Sequence, residues 1–321
     1  MTEKYRAYAP ASAANLSVGF DLLGAALAPV DGAVLGDEIF IEKAPAGVCE
    51  IAQEGRFAHI LPKDPRQNII YDGYKLYCER AKTAGFESCG VKMTLRKNLP
   101  ICSGLGSSAS SAVASIVAMD TVNGSRFSQH ELLVMMGELE GKISGSIHYD
   151  NAAPCYLGGL QLIVGENGVI SRKLPVFKDW YFVSCFPGIK VSTNAARKIL
   201  PQEYPRKSVI DFGRRLASFV YACENDDEKL AASCLTDVIA EPYREKLIPG
   251  LADARKFASS AGALATGISG SGSSIFSITR DLESAQEIKK WLERNFIANA
   301  DGFCHICRVD DRGAYAQRIE D

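Results

Sequence analysis

The stretch Lys97-Asn-Leu-Pro-Ile-Cys-Ser-Gly-Leu-Gly-Ser-Ser-Ala-Ser-Ser111 leaves the chain around it few options. Val91-Lys-Met-Thr-Leu-Arg96, just before it, is apolar at every second position, which predicts a half-buried strand. After it, Ala109, Val113, Ile116 and Val117 recur at helical spacing. The unit is therefore strand, glycine-serine loop, helix. Gly104 and Gly106 let the backbone turn tightly and approach a ligand closely. Ser107 and Ser108 stand where the helix begins, at its unpaired N–H groups and positive dipole end. Such a terminus favours an anion, most often phosphate.

Three glycine-loop patterns compete here. A Walker A loop needs a Lys-Ser/Thr pair after its second glycine, and none follows; Gly137-Glu-Leu-Glu-Gly141-Lys142 has the wrong spacing and no hydroxyl. Gly104-x-Gly106-x-x-Ala109 satisfies a dinucleotide fingerprint on paper. Its preceding strand alternates with polar residues, however, and no acidic residue closes a second strand about twenty residues on. The third pattern, Pro-x-x-x-Gly-Leu-Gly-Ser-Ser-Ala, matches Pro100 to Ala109 residue for residue.

The 321 residues suffice for two domains, expected at 1–165 and 166–321. A net charge of −2 gives no reason to expect nucleic acid or a membrane surface as partner. The start of the chain carries no apolar signal region, and no run approaches the ~18 apolar residues of a span, so a cytoplasmic location is expected. Cys304-His-Ile-Cys307 lacks a second ligand pair and suits a strand with buried thiols.

Along the chain, Lys4 to Ala9 reads as a strand ended by Pro10. Ala11 to Asp21 is a small-residue loop carrying Asn15 and Asp21, which a turn held by Asx hydrogen bonds would also explain. Val48 to His59 reads as a hairpin, and Asn68 opens a helix that stops at Gly85. Ser128-Gln-His-Glu131 is a capping box. The helix it opens has an apolar face through Leu132, Leu133, Met136, Leu139 and Ile143, and Glu140 falls on that face. A carboxylate there needs a partner or a cation. Glu138 is expected on the wetter face, paired with Lys142. Ser144 to Pro154 concentrates His148, Asp150 and Asn151 in a loop. Arg197 lies on a later helix, Arg244 at a helix break. Gly262 to Ala265 and Ser274 to Thr279 read as strands flanking Gly267-Ile-Ser269-Gly270-Ser271-Gly272, either a flap or a loop packed on the first glycine loop. Two closing strands, Phe303 to Val309 and Ala314 to Ile319, are expected to meet at Asp310 to Gly313.

The order of these motifs resembles the GHMP kinases across nearly the full chain, and within that family most nearly the homoserine kinases of the bacterial type. The carriers are Ala9 to Asp21, Pro100 to Ala109, Gly137 to Pro154, Lys190 to Thr193 with Arg197, and Ile239-Ala-Glu-Pro-Tyr-Arg244. The resemblance implies an α+β, two-domain fold: an N-terminal domain like the second domain of ribosomal protein S5, then a ferredoxin-like domain. It implies ATP-dependent phosphorylation of the side-chain hydroxyl of L-homoserine, a step toward threonine. Carried over by position, Pro100, Ile101, Cys102, Ser103, Gly104, Leu105, Gly106, Ser107, Ser108, Ala109 and Ser110 would hold the nucleotide phosphates, and Asn68 the adenine. Ser108 and Glu140 would hold Mg²⁺. Asn15, Asp21, His148, Asn151, Arg197 and Arg244 would surround the amino acid, with Asp21, Asn151, Ser108 and Glu140 closest to the reaction.

The chemistry agrees: a zwitterion suits an arginine fork at one end and an aspartate at the other. Ser273-Ser274 departs from the Pro-Thr that often follows the third glycine motif. Asp150 and Asn151 differ by one position of alignment; the expectation is that Asn151 orients the hydroxyl and Asp150 is structural. ATP and L-homoserine are the expected partners, with a second copy of the chain an open option. A mevalonate or sugar kinase, or a ligand-binding sensor without catalysis, remain alternatives.

Overall fold

A computed structural model describes residues 3–320, except for the side chains of Ile143 and Ser144. The first half contains β1 (Lys4–Ala14), β2 (Leu23–Pro29), β3 (Gly36–Ala44), β4 (Cys49–Glu54), α1 (Ile69–Thr83) and β5 (Gly90–Arg96). It continues with α2 (Ser107–Val122), α3 (Gln129–Ser144), α4 (Ala152–Leu157), β6 (Leu160–Glu166) and β7 (Val169–Leu174). The second half contains β8 (Tyr181–Phe186), α5 (Thr193–Lys198), α6 (Arg206–Glu224), α7 (Glu228–Cys234) and α8 (Glu241–Arg244). It ends with α9 (Leu251–Ser260), β9 (Ala265–Ile268), β10 (Ile275–Thr279), α10 (Leu282–Asn295), β11 (Phe303–Val309) and β12 (Tyr315–Ile319). The content is mixed α and β, in two parts joined by one strand.

That strand is β1. Lys4 to Pro10 pairs with β3, and its other edge pairs with β12 as far as Tyr8. From Ala11 onward that edge pairs with β2 instead. The sheet thus runs β4-β5-β3-β1-β2-β11-β8-β10-β9, straight through the junction expected near residue 165. Pro10 does not end the strand. Ala11 donates its N–H to Leu35 on the β3 side, so residue 10 faces the gap between β12 and β2, where a missing N–H leaves nothing unpaired.

Two other expectations change for topological reasons. Cys49 to Glu54 forms no hairpin: β4 lies parallel to β5, with α1 as the crossover. β11 and β12 do not pair with each other; β11 joins β8 and β2, whereas β12 crosses to β1. β9 also starts later than expected, so Gly267 lies within a strand.

The helices α1 to α4 cover one face of β1, β3 and β5 around Ile39, Met93, Ile116 and Met136. The second core packs α6 and α7 against β2, β8 and β10. A third lies between the opposite sheet face and α9 and α10. Cys304 belongs to the third core and Cys307 to the second, so the two thiols occupy opposite faces of β11, each pushed up by burial. Among the described residues no helix is long and apolar enough to cross a membrane.

Candidate active site

The glycine-serine loop leads into α2 as expected, and the helix starts at Ser107. Gly106 stands at the N-cap with φ of 64° and no side chain to cap the first-turn N–H groups. A Cβ there would come within 2.1 Å of Ser12 Oγ and 2.9 Å of Asn151 Oδ1, so only glycine fits. Most loop hydroxyls are engaged internally. Ser107 donates to the Leu99 carbonyl at 3.2 Å, and Ser110 donates to the Ala9 carbonyl at 2.8 Å while accepting the Asp37 N–H. Ser108 is different. Its hydroxyl is enclosed without a well-formed hydrogen bond, yet stands close enough to Glu140 to hold that carboxyl down.

Glu140 arrives from α3, whose capping box forms as read. Leu132, Leu133, Met136 and Leu139 on the same face are buried; Ile143, expected there too, has a side chain outside the described residues. Burial raises the Glu140 carboxyl, opposed by the Ser108 hydroxyl and the charge of Lys97. Glu138 pairs with Arg80 of α1 rather than with Lys142.

Lys97 is the residue the sequence pattern undervalued. Its ammonium, 2% exposed, contacts the Asp37 carboxylate, the Ser107 carbonyl at 3.0 Å and Ser111 Oγ at 2.8 Å. Asp37 also accepts the N–H groups of Asn98 and Leu99 at 2.9 and 3.0 Å and the Ser111 hydroxyl at 2.6 Å. The pair locks the loop to β3 from below. A signal existed: Lys97 continues the inward phase of Val91, Met93 and Leu95, as Asp37 does that of Ile39 and Ile41.

A cavity of about 460 Å³ opens in front of the loop. Of the loop residues, Ile101, Cys102, Ser103, Gly104, Gly106, Ser107 and Ser108 line it, with Glu140, Asn68 and Lys97. Pro100, Leu105, Ala109 and Ser110 do not reach it; Leu105 and Ala109 are core residues. Asn68 caps α1 by accepting the Ile70 N–H at 3.2 Å. Ile60, Leu61, Pro62 and Ile69 form an apolar wall beside it that the sequence did not reveal, because it joins the 3₁₀ turn after β4 to the start of α1.

Away from the loop the cavity gathers Asn15, Asp21, His148, Arg197 and Arg244, with Asp150 and Asn151 between them and the loop. Arg197 holds both Asp21 oxygens, at 3.1 and 3.0 Å, and its buried Nε has no hydrogen-bond partner. Arg244 donates to the Ala196 and Gly270 carbonyls at 3.0 Å and lies over the Phe20 ring. The Asn15 amide donates to the Gly270 carbonyl and accepts the Asp21 N–H, each at 3.0 Å, so its side chain also stitches the loop as an Asx turn would. Burial lowers the His148 imidazole, with Arg197 adding to the effect and Asp21 opposing it.

Asp150 and Asn151 both reach the cavity. Burial pushes the Asp150 carboxyl up to about 7, Asp21 adding and Arg197 opposing. Asn151 accepts the Ser12 hydroxyl on Oδ1 at 2.9 Å, which leaves its NH₂ as the donor half of the amide. The third glycine segment packs on the first loop: Ser269 donates to the Gly104 carbonyl at 2.7 Å and Ser274 N–H to the Ser103 carbonyl at 2.8 Å. Gly270 and Ser271 line the cavity; Gly267, Ser269 and Gly272 stand behind it.

Comparison with known proteins points the same way. The model of the GHMP kinases N terminal domain matches residues 68–159, and that of the GHMP kinases C terminal domain residues 219–298. A solved homoserine kinase from Cytophaga hutchinsonii is 33% identical, with a TM-score of 0.88 over 98% of this chain and 97% of that one. A Listeria monocytogenes structure provisionally assigned as a homoserine kinase shares the fold at 23% identity, TM-score 0.71, over 98% of this chain and 100% of that one. So does an L. major mevalonate kinase with R-mevalonate, at 16% identity, TM-score 0.67, over 94% of this chain and 95% of that one. Matched end to end and in both of its family domains, the chain belongs to the GHMP kinases.

Proposed function

We propose that this kinase transfers the terminal phosphoryl group of ATP to the side-chain hydroxyl of L-homoserine. The observation that carries the reading is the charge layout at the far end of the cavity. Two arginines and Asp21 lie there, complementary to an amino-acid zwitterion, within one cavity of the glycine loop. A sugar offers neither charge. R-mevalonate offers the carboxylate but no ammonium to share Asp21 with Arg197.

In this reading the first-turn N–H groups of α2 and the loop backbone hold the phosphates. Ser108 and Glu140 suit Mg²⁺: an enclosed hydroxyl oxygen faces a carboxyl that burial alone disfavours as a charge. Bound there, Mg²⁺ would neutralise charge on the phosphates. Lys97, at the cavity wall, and Asp37 behind it keep the loop in place. Asn151, its carbonyl held by Ser12, donates its NH₂ to the substrate hydroxyl oxygen and orients it. A loose phosphoryl-transfer transition state needs little early proton removal, so no strong base is required. As the bond to the terminal phosphorus forms and its bond to the bridging oxygen of ADP breaks, the hydroxyl proton leaves late to a phosphate oxygen.

The test is ADP release measured with homoserine, mevalonate and galactose. Homoserine should give the highest kcat/KM; preference for mevalonate or galactose would overturn the assignment.

A further inference from the structure

Arg244 stands on an element that cannot hold itself. α8 is four residues long, well below the length at which a helix persists alone. Two buried carboxylates support it. Asp237 accepts the Ile239 and Ala240 N–H groups at 2.7 and 2.8 Å and so fixes the backbone that leads into the turn. Glu241 stands three residues before Arg244, on the same side of α8, and its side chain enters a different cavity. It does not line the 460 Å³ cavity but a separate one of about 510 Å³ behind α8.

From there Glu241 reaches three other segments. Its Oε1 accepts the Ile268 N–H of β9 at 2.6 Å and lies 3.4 Å from the Ser17 hydroxyl, in the loop between Asn15 and Asp21. Its Oε2 accepts from Arg255 of α9 at 2.9 Å. A Cβ on Gly267 would meet Ser17 Oγ at 2.0 Å and Glu241 Oε1 at 2.6 Å, so the three segments converge where only glycine leaves room. These same segments build the substrate end. Two residues beyond Ile268, the Gly270 carbonyl receives both Arg244 and Asn15.

We propose that Glu241 is a positioning residue: its carboxylate holds α8, β9 and the Asn15–Asp21 loop in one register, and so sets where Arg244 meets the carboxylate of the substrate. The inference rests on the homoserine reading above. Glu241 touches no substrate and acts through Arg244. A neutral amide at this position still accepts from Ile268, but its NH₂ confronts the Arg255 guanidinium, donor against donor.

The test is steady-state kinetics of Glu241→Gln in the full chain, with each substrate varied in turn. The KM for homoserine should rise about tenfold, with kcat and the KM for ATP within about twofold, because a displaced Arg244 weakens one substrate contact only. Arg255→Gln removes the cation facing the same carboxylate from a partly exposed position and should raise the homoserine KM about threefold, with the melting temperature checking that the fold is kept. The double variant pairs two amides and should fall below Glu241→Gln alone. An unchanged homoserine KM in both single variants, or an ATP KM rising in step as general loosening would produce, overturns the proposal. Wild type is assayed first: if it does not turn over homoserine, the substrate reading itself is broken. If it does and the variants leave KM alone, only the role of Glu241 is.

Discussion

At the end of the cavity proposed for the phosphates, Asp37 and Lys97 neutralise each other in the core, and Ser107 and Ser110 bond to backbone carbonyls. At the end proposed for the amino acid, Asp21 and Arg197 meet across 176 residues of sequence, and Arg244 reaches the Gly270 carbonyl from another segment. One end is a single strand–loop–helix unit braced from below. The other is assembled from loops that touch only in the finished fold. The difference predicts separable failures: damage at the phosphate end should reach folding or turnover, and damage at the amino-acid end should reach substrate affinity.

The largest effect is expected at Asp37. Asp37→Asn leaves the Lys97 ammonium buried without its counter-charge, which should cost about 3–5 kcal/mol in urea denaturation. A loss under about 1 kcal/mol would mean that the pair does not brace the loop, and the contrast between the two ends would fail.

Glu140→Gln keeps the shape and removes the charge that suits a cation. We expect kcat to fall by about 10²–10³, as for loss of one electrostatic contact to the transferred group, with the melting temperature little changed. Since burial raises this carboxyl, the amide should if anything be tolerated better by the fold. Near-normal turnover at low Mg²⁺ would remove Glu140 from the metal site. Glu138→Gln, on the outer face against Arg80, is the control and should leave turnover unchanged.

Arg197→Ala and Arg244→Ala test the other end. Loss of one charge-assisted contact is worth roughly 1.5–3 kcal/mol, or about 10- to 150-fold in homoserine affinity. Lysine should not restore it, because it cannot offer the bidentate fork. Should both variants bind homoserine normally and lose ATP affinity instead, the arginines belong to the nucleotide and the division of the cavity is drawn wrongly.

The same contrast explains what could be read from the chain. The phosphate loop, the Asn68 cap, the Ser128–Glu131 box and Glu140 are local patterns, and each stands where its spacing implied. Asp21, Arg197 and Arg244 were reachable only through resemblance, since nothing local ties them together. The parallel pairing of β4 and the return of β12 to β1 depend on partners far along the chain, and no periodicity encodes them. Glu241 lay inside a quoted motif without a role, because its partners Ser17, Arg255 and Ile268 come from three other segments.

Asp150 lies between the two ends and should give the smallest effect on turnover. Its carboxyl, raised to about 7 chiefly by burial, is the kind of group that serves as a general base in other enzymes. Asp21 and Glu140 push it up further and Arg197 pulls it down. A carboxyl whose folded pKa lies above its unfolded value of 3.8 binds its proton more tightly in the native state. Its contribution to stability is therefore complete at low pH and is lost as pH rises toward about 7. Asp150→Asn fixes the neutral form. It should raise the melting temperature at pH 8 relative to wild type and flatten the decline between pH 5 and pH 8. If Asn151 orients the hydroxyl and no strong base acts, kcat should stay within about threefold of wild type, since a true base contributes about 10²–10⁴-fold. A fall of about three decades with stability intact would make Asp150 the base and leave Asn151 to hold the glycine loop through Ser12.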